Sequence, residues 1–454
     1  MNSTIAAIGT PYGVGGIGIV RVSGDEAKRL VSMIFKPVGK RNIDNVKGFS
    51  AIYGRVFDDD GEFDEAVVTV YNAPKSYTGE DVVEISCHGG TYIMERVLMA
   101  VIAVGAKPAD AGEFTKRAFV NGKLSLEKAE AVIDLINAKS KLSAAAALSV
   151  KDGALSCKID EIIVKLTELA AHLSAWTDYP DDDIAEVSVE YLNSNLLDIK
   201  NELVILLSSY EKGRIIHDGV SATIVGKPNV GKSTLMNALS GQQTSIVTHI
   251  AGTTRDVVEE TVRVGDIVLR LADTAGIHQT NDLVESIGVD AALKKIDASA
   301  LVIAVFDGTT PIDNDDKKII DILKNRTCLA VINKADLQQN IDKQYLYDNF
   351  IHIVELSAKN VSGINTLSDK IKDIYSLNNL DSSAPILYTI RQKDCITRAI
   401  SNTNDALNAL NLGITFDAVN VCIEDVLSNL LELSGKTASQ QVVNGIFAKF
   451  CVGK

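Results

Sequence analysis

Apolar positions along the chain change their period three times, and each change predicts a different kind of structure. Over residues 1–120, β-branched runs lie between turn residues. Gly18-Ile19-Val20-Arg21-Val22, Ala66-Val67-Val68-Thr69-Val70 and Val82-Val83-Glu84-Ile85-Ser86 read as strands. Asp58-Asp59-Asp60-Gly61 between strand-like segments predicts a hairpin. The strand at Val82 ends at His88-Gly89-Gly90, where a helical pattern begins. From Leu124 the period becomes helical. Leu155, Ile159, Ile162, Ile163, Leu166, Leu169, Ala170 and Leu173 recur at steps of three and four and fall on one helix face. Asp178-Tyr179-Pro180-Asp181-Asp182-Asp183 interrupts the pattern, which resumes at Leu196, Ile199, Leu203, Leu206 and Tyr210.

From 217 to 378 short apolar strands alternate with helical stretches. Ala222–Val225, Ile267–Leu271, Leu301–Phe306 and Cys328–Ile332 are each followed by a polar loop and then a helix pattern. Such alternation predicts a mostly parallel sheet with helices on both faces. A polar linker follows, Ser376 to Pro385. The helical period then returns at Val419, Ile423, Val426, Leu427, Leu430 and Leu431, and again at Val442, Val443, Ile446 and Phe447. Two separated helical blocks, each with an apolar stripe, are expected to pack on each other, with the α/β segment inserted between them. The expected fold class is therefore multidomain. It comprises an N-terminal α+β domain (1–120), a discontinuous all-α helical domain (121–215 and 379–454) and an inserted α/β domain (216–378).

Composition narrows the function. A length of 454 residues suits roughly three domains. Apolar residues at 46% and charged residues at 23% are those of a globular chain, not a disordered one. Lys plus Arg is 45 against 59 Asp plus Glu, a balance of −14. That excludes a general nucleic-acid coat, which needs surplus positive charge, but leaves room for a local basic patch or a positive partner. The six cysteines are scattered without CxxC spacing. This argues against a zinc site and a disulfide framework and suits a reducing cytosol, so a cytoplasmic location is expected. The first residues carry no basic n-region, and nowhere do 18 apolar residues run together. Neither a signal peptide nor a membrane span is expected.

Four motifs then arrive in register. Gly226-Lys227-Pro228-Asn229-Val230-Gly231-Lys232-Ser233 fits GxxxxGK[ST] between a strand and a helix that begins near Thr234, the context a phosphate-binding loop requires. Its glycines let backbone N–H groups curl round a β-phosphate. Lys232 would reach the β/γ-phosphates, and the Ser233 hydroxyl would ligate Mg²⁺. Asp273-Thr274-Ala275-Gly276 fits DxxG. Its aspartate would hold the metal through water, and the Gly276 N–H would sense the γ-phosphate. Asn333-Lys334-Ala335-Asp336 fits NKxD, and Asp336 can accept hydrogen bonds from guanine N1–H and the 2-amino group. Adenine lacks that donor pair and would leave a carboxylate unpaired, which selects GTP over ATP. Ser357-Ala358-Lys359 suits a base-contacting loop. Together these motifs resemble the Ras-like GTPases. In Ras a glutamine after DxxG orients the attacking water. Here that position is Ile277, and there is no obvious arginine finger in the same chain. Either hydrolysis is very slow, or another residue and another cation substitute.

Thr248-His249-Ile250-Ala251-Gly252-Thr253-Thr254-Arg255-Asp256 carries the GTTRD segment of the bacterial GTPases that include Era and Der. Taken with Cys451-Val452-Gly453-Lys454 and Gly15-Gly16-Ile17-Gly18-Ile19-Val20-Arg21, it narrows the match. The whole chain resembles the MnmE (TrmE) family of tRNA modification GTPases. Most members end in Cys-Ile-Gly-Lys, where this chain has Val452, and many have arginine where it has His278. The resemblance implies a K⁺ ion held by Asn229, Thr248, Ile250 and Thr253 where an arginine finger would place its charge. It implies that Thr254 joins Ser233 on Mg²⁺, that Thr248, Thr253 and Thr254 line the GTP, and that Glu285 orients the water that Ile277 cannot. On the residues alone, Asn229 also reads as a turn residue and Glu285 as a solvated residue in the first turn of a helix.

The resemblance further implies that the N-terminal region binds 5-formyl- or methylene-tetrahydrofolate through Arg21, Glu84, Lys123 and Lys454 and forms a homodimer interface. A carboxylate can take the pterin's amide and amino protons, while Arg and Lys suit folate's carboxylates. Without the resemblance, Arg21 and Glu84 read as solvated strand residues. Cys451 belongs by resemblance to a catalytic modification centre, and by position alone to a frayed tail. His88 reads as structural. The implied activity, in a heterotetramer with the FAD-dependent protein MnmG, adds an aminomethyl-type (carboxymethylaminomethyl) group at C5 of the wobble uridine of certain tRNAs. Three rivals remain at this level. A ribosome-assembly GTPase of the Era/Der type would lack the Arg21 motif and the Cys451 tail. A GTP-gated folate-binding scaffold would not turn GTP over. A folate-dependent one-carbon transferase with a regulatory GTPase domain would form product without GTP.

Overall fold

The computed structural model describes residues 3–39, 42–178, 187–241, 260–271, 294–378, 384–437 and 439–454. The chain divides into two compact units. One comprises 1–133, 159–187 and 408–454, the other 134–158 and 188–407.

The first unit is built on a seven-stranded sheet in the order β3-β4-β5-β6-β2-β1-β7. Its strands are β1 (Ile5–Ile8), β2 (Ile17–Ser23), β3 (Phe35–Pro37), β4 (Ser50–Asp58), β5 (Gly61–Tyr71), β6 (Val82–His88) and β7 (Lys107–Pro108). All neighbours are antiparallel except β1 and β7. The expected hairpin joins β4 to β5, with Asp58 opposite Gly61 and the Asp60 N–H donating to Asp58 Oδ1 at 3.0 Å. Alternation sets the faces. Val20, Val22, Val83, Ile85, Val68 and Val70 point into a core with Leu30, Val31, Val97 and Val101 from the helices Ala27–Ser32 and Thr91–Ala103. Arg21 and Glu84 stand on the opposite face, directly across from each other. A Cβ at Gly18 would press on the Met94 side chain of that second helix, so sheet and helix pack closely there.

Helices complete this unit. The predicted stripe at Leu155, Ile159, Ile162, Leu166, Leu169 and Leu173 is buried along the helix Ala154–Asp178, while Ile163 and Ala170 flank it partly exposed. The two sequence-distant helical blocks meet. Trp176 packs edge-on against Phe416 with ring centroids 5.3 Å apart, the Asn420 amide donates to Ser174 Oγ at 3.0 Å, and Lys436 pairs with Asp160 at 2.8 Å. Leu126, Ala129 and Val132 form a small core with Val443, Phe447 and Phe450 from the end of the chain.

The second unit holds a six-stranded sheet in the order β13-β12-β11-β8-β10-β9. Its strands are β8 (Val220–Val225), β9 (Glu260–Val264), β10 (Ile267–Leu271), β11 (Leu301–Asp307), β12 (Cys328–Asn333) and β13 (His352–Glu355). Every neighbouring pair is parallel except β9 with β10. The continuous apolar runs of β11 and β12 are explained by burial on both faces. Leu301, Ile303, Val305, Leu329 and Val331 face a core with Leu235, Leu239, Leu367 and Ile371, while Val302, Ala304, Phe306, Ala330 and Ile332 face Ile320, Leu323, Leu346 and Phe350. The sequence reading resumes the helical period at Val419. The structure adds a helix at Ile390–Asn411, whose buried face begins with Gln392, Cys395, Ile396, Ala399, Thr403 and Ala406, mostly small or polar residues that make a weak stripe. Among the described residues no helix is long and apolar enough to cross a membrane.

His217, in the last turn of the helix Tyr210–Asp218, ties this unit together. Its Nε2 bonds Asp134 Oδ1 at 2.8 Å, its Nδ1 bonds Asp218 Oδ1 at 2.7 Å, and its ring stacks on Tyr388 at 5.0 Å. The hydrogen bond to Asp134, then that to Asp218, pushes the imidazole up to about 9 against the opposing effect of burial. A group whose pKa is raised by folding stabilises fully below its unfolded value, roughly 6.5, and loses that contribution as pH rises through its folded value. Chemical denaturation between pH 6 and 10 is therefore expected to show stability falling towards pH 9, with a much flatter profile for His217→Gln. Equal slopes in both proteins would contradict this role for His217.

Candidate functional site

The loop Gly226–Ser233 leaves the C-terminal end of β8 and enters the helix Lys232–Ser240, at the strand ends where open parallel sheets bind ligands. Gly226 (φ 152°), Asn229 (φ 64°) and Gly231 (φ 99°) all take positive φ, which curls the backbone. Asn229, Ser233 and Thr234 are exposed, and Val230 is buried. Lys232 Nζ donates to Gly226 O at 2.8 Å and to Lys227 O at 2.6 Å, and burial pushes its amine below the ordinary value. An ammonium resting on its own loop's carbonyls is placed to exchange them for phosphate oxygens.

β12 ends at Asn333, and the NKxD segment follows. Asn333 is 3% exposed. Its Nδ2 donates to Val230 O at 2.8 Å, and its Oδ1 accepts from Ala358 N–H at 3.0 Å. One carboxamide thus joins the phosphate loop to the Ser357-Ala358-Lys359 loop that follows β13. A side chain at Gly231 would collide with Asn333 Nδ2, which explains glycine at that position. Lys334 takes φ 64° and pairs with Asp307 at the end of β11 at 2.5 Å. Burial alone would raise the Asp307 carboxyl, but Lys334 and Thr309 bring it below its usual value. Asp336 is exposed. A hydrogen bond with Ser357, helped by the charge of Lys359, lowers its pKa and keeps it a carboxylate that accepts. Gln339 donates to Lys334 O and Leu337 O, both at 2.9 Å, bracing the turn that carries Asp336. Asp307, Gln339 and the Lys227 contacts described below escape motif reading. An apolar strand ending in Asp was the available signal for the first. Thr248, Ile250, Thr253, Thr254, Asp273, Thr274, Ala275, Gly276 and Glu285, with Ile277 and His278, lie outside the described residues.

In the first unit, Arg21 and Glu84 bond each other. Arg21 Nε donates to Glu84 Oε1 at 2.9 Å, and Nη2 lies 2.8 Å from the same oxygen. Arg21 Nη1 donates to Gly453 O at 3.1 Å. The guanidinium lies 5.9 Å from the ring centroid of Tyr77 and 5.7 Å from that of Phe114, and Tyr71 OH reaches Glu84 Oε2 at 3.4 Å. Arg21 and Glu84 are only 18% and 20% exposed, so neither is a solvated strand residue. The C-terminal tail is seated, not frayed. Gly112 N–H donates to Cys451 O at 3.4 Å, Val452 bridges to Ala111, and a side chain at Gly453 would collide with Ile8 O. The Cys451 thiol is exposed. Lys123 donates to Pro74 O at 3.0 Å from beside the loop that carries Tyr77, and the Lys454 N–H lies 3.4 Å from Cys451 O. His88 is exposed and held by Asp64 at 2.5 Å, whose hydrogen bond raises its pKa. Among the described residues no group of three or more His, Cys, Asp or Glu is placed to hold a metal ion.

A glycine-curled phosphate loop, a guanine-type NKxD turn and the loop after β13, held at one end of a parallel sheet, define a P-loop GTPase. Family models place the chain more narrowly. Residues 4–123 match the GTP-binding protein TrmE N-terminus, and residues 126–451 match the MnmE helical domain. The chain is 41% identical to the tRNA modification GTPase MnmE of Acetivibrio thermocellus over 100% of its own length and 99% of the relative's. It is 38% identical to that of Clostridioides difficile and 40% identical to that of Carboxydothermus hydrogenoformans, with 100% of each chain covered. The chain belongs to the MnmE family of tRNA modification GTPases.

Replacing Asp336 by Asn removes two charge-assisted acceptors. GDP and GTP are expected to bind roughly 100-fold more weakly, while xanthosine diphosphate, which has a carbonyl where guanine has its 2-amino group, becomes the preferred ligand. Equilibrium titration checks this, and unchanged guanine preference would contradict the assignment of Asp336.

Proposed function

We propose that this chain is a K⁺- and Mg²⁺-dependent GTPase that acts in the cytoplasm as a homodimer. In a heterotetramer with the FAD-dependent protein MnmG, it adds a carboxymethylaminomethyl-type group to C5 of wobble uridines in tRNA. The proposed division is a folate-binding and dimerisation domain at 1–120, a helical domain at 121–215 and 379–454, and a GTPase domain at 216–378. The observation that carries the reading is the end-to-end match to relatives named as tRNA modification GTPases.

The donor sets fit the groups. Ser233 and Thr254 with Asp273 through water offer hard oxygens suited to Mg²⁺, and the Asn229 amide with Thr248, Ile250 and Thr253 offers neutral oxygens suited to K⁺. When bound, the two cations neutralise charge on the terminal phosphates, K⁺ where an arginine finger would stand. Lys232 leaves the carbonyls of Gly226 and Lys227 for the β/γ-phosphates. The Gly276 N–H reads the γ-phosphate, Glu285 orients the attacking water, and Asp336 reads guanine. Dimerisation of the GTPase domains orders the switch segment, and hydrolysis drives that conformational change without being the modification chemistry. In the first unit the Arg21–Glu84 pair suits tetrahydrofolate, with Glu84 accepting from the pterin and Arg21, Lys123 and Lys454 facing carboxylates. Seating of the tail on Arg21 supports placing Cys451 in the same unit's modification centre.

Nucleoside analysis of tRNA from cells lacking the protein is expected to show loss of the wobble C5 group, restored by the wild-type chain and not by Cys451→Ser. In the purified wild-type chain GTP turnover should be roughly ten-fold or more faster in KCl than in NaCl. A wobble C5 group retained unchanged in cells lacking the protein would reject the activity, and equal turnover in both salts would reject the K⁺ assignment.

A further inference from the structure

The second residue of the phosphate loop makes contacts that no motif assigns. Lys227 Nζ lies 2.7 Å from Asp313 Oδ2 and 2.7 Å from Asp316 Oδ2. Both carboxylates also build the start of the helix Asn314–Leu323. Asp313 Oδ1 accepts from the N–H groups of Asp315 and Asp316, each at 3.0 Å, and Asp316 Oδ2 accepts from Asp313 N–H at 3.2 Å. Asp316 is only 4% exposed. The backbone carbonyl of Lys227 accepts from Lys232 Nζ. Pro228, next in the chain, biases the Lys227 backbone away from the helical region.

We propose that Lys227 is a positioning residue for nucleotide binding: its ammonium latches the first half of the phosphate loop to the capping box of the helix Asn314–Leu323, and it neutralises two carboxylates that would otherwise repel the incoming phosphates. The proposal rests on the reading of Gly226–Ser233 as the nucleotide site. Uncompensated negative charge beside the phosphate loop opposes polyphosphate binding more strongly as the ligand's charge grows. The hydrogen bond with Lys227 is the largest of the effects that hold the Asp313 carboxyl down at about 2. Lys227 thus differs from Lys232: one ammonium pairs with carboxylates, the other rests on carbonyls.

Equilibrium titration of GDP and GTP against four variants of the full chain tests this. Lys227→Met is expected to weaken GDP roughly ten-fold and GTP by more, so that the GTP-to-GDP preference shifts towards GDP. Lys227→Arg keeps the cation and should retain near-native affinity. The triple variant Lys227→Met, Asp313→Asn, Asp316→Asn removes the carboxylate charge but keeps side-chain oxygens able to cap the helix, and should recover most of the loss. Lys232→Ala serves as the control for the site itself. Native affinity in Lys227→Met while Lys232→Ala loses binding would overturn the latch and leave the site standing. A loss in Lys227→Met that is equal for GDP and GTP and persists in the triple variant would also overturn it. Undiminished binding in Lys232→Ala would reject the nucleotide site and the latch with it.

Discussion

A single buried carboxamide joins the two loops from which the proposed nucleotide site is built. Asn333 ends a strand that is buried along its whole length, so its position is fixed by the core of the parallel sheet. From there it holds Val230 of the phosphate loop with its nitrogen and Ala358 of the base-side loop with its oxygen. Two loops separated by more than a hundred residues are thereby set at one spacing by two hydrogen bonds shielded from water, where an unmade bond is costly. Gly231 combines a left-handed φ of 99° with close approach to that carboxamide, a combination that favours glycine. The Lys334–Asp307 pair and the Gln339 brace extend the same construction towards Asp336.

The first unit solves a parallel problem by different means. Its sheet covers one face with two helices and leaves Arg21 and Glu84 paired on the other. The end of the chain then closes on that pair through Gly453, where backbone approaches backbone at Ile8 and φ is positive, so glycine is needed there. A tail anchored by a guanidinium, a bridge at Val452 and the Phe447–Phe450 packing brings an exposed thiol to a defined place on the fold. The role proposed for Cys451 is compatible with this docked tail, which holds the thiol in place as a frayed terminus would not.

Elements with a strong period were legible in the sequence. The β4–β5 hairpin, the four parallel strands and the helix at Ala154–Asp178 fall where their patterns predict, because each buries a stripe or a run that has no other use. The helix Ile390–Asn411 escaped because its buried face is largely Cys, Ala and Thr rather than leucine. At the sites, residue types were legible and partners were not. Asn333 belongs to a motif, yet its bond to Val230 spans 103 positions, and the Arg21 contact with Gly453 spans 432. Arg21 and Glu84 look solvated in sequence because strand alternation places them off the core. Only cross-strand register reveals that they face each other. The capping box at Asp313 and Asp316 is readable as a helix start, whereas its link to Lys227 is a property of the folded unit.

The most direct test of the Asn333 clamp is a titration of GDP and inosine diphosphate, which lacks the 2-amino group, against Asn333→Ala in the full chain. Both loops lose their common anchor in that variant. GDP affinity should fall by roughly ten-fold or more, with two buried partners left unpaired, and the preference for GDP over inosine diphosphate should shrink with it. Native GDP affinity together with native discrimination would show that the loops hold their spacing without Asn333, and would contradict the account.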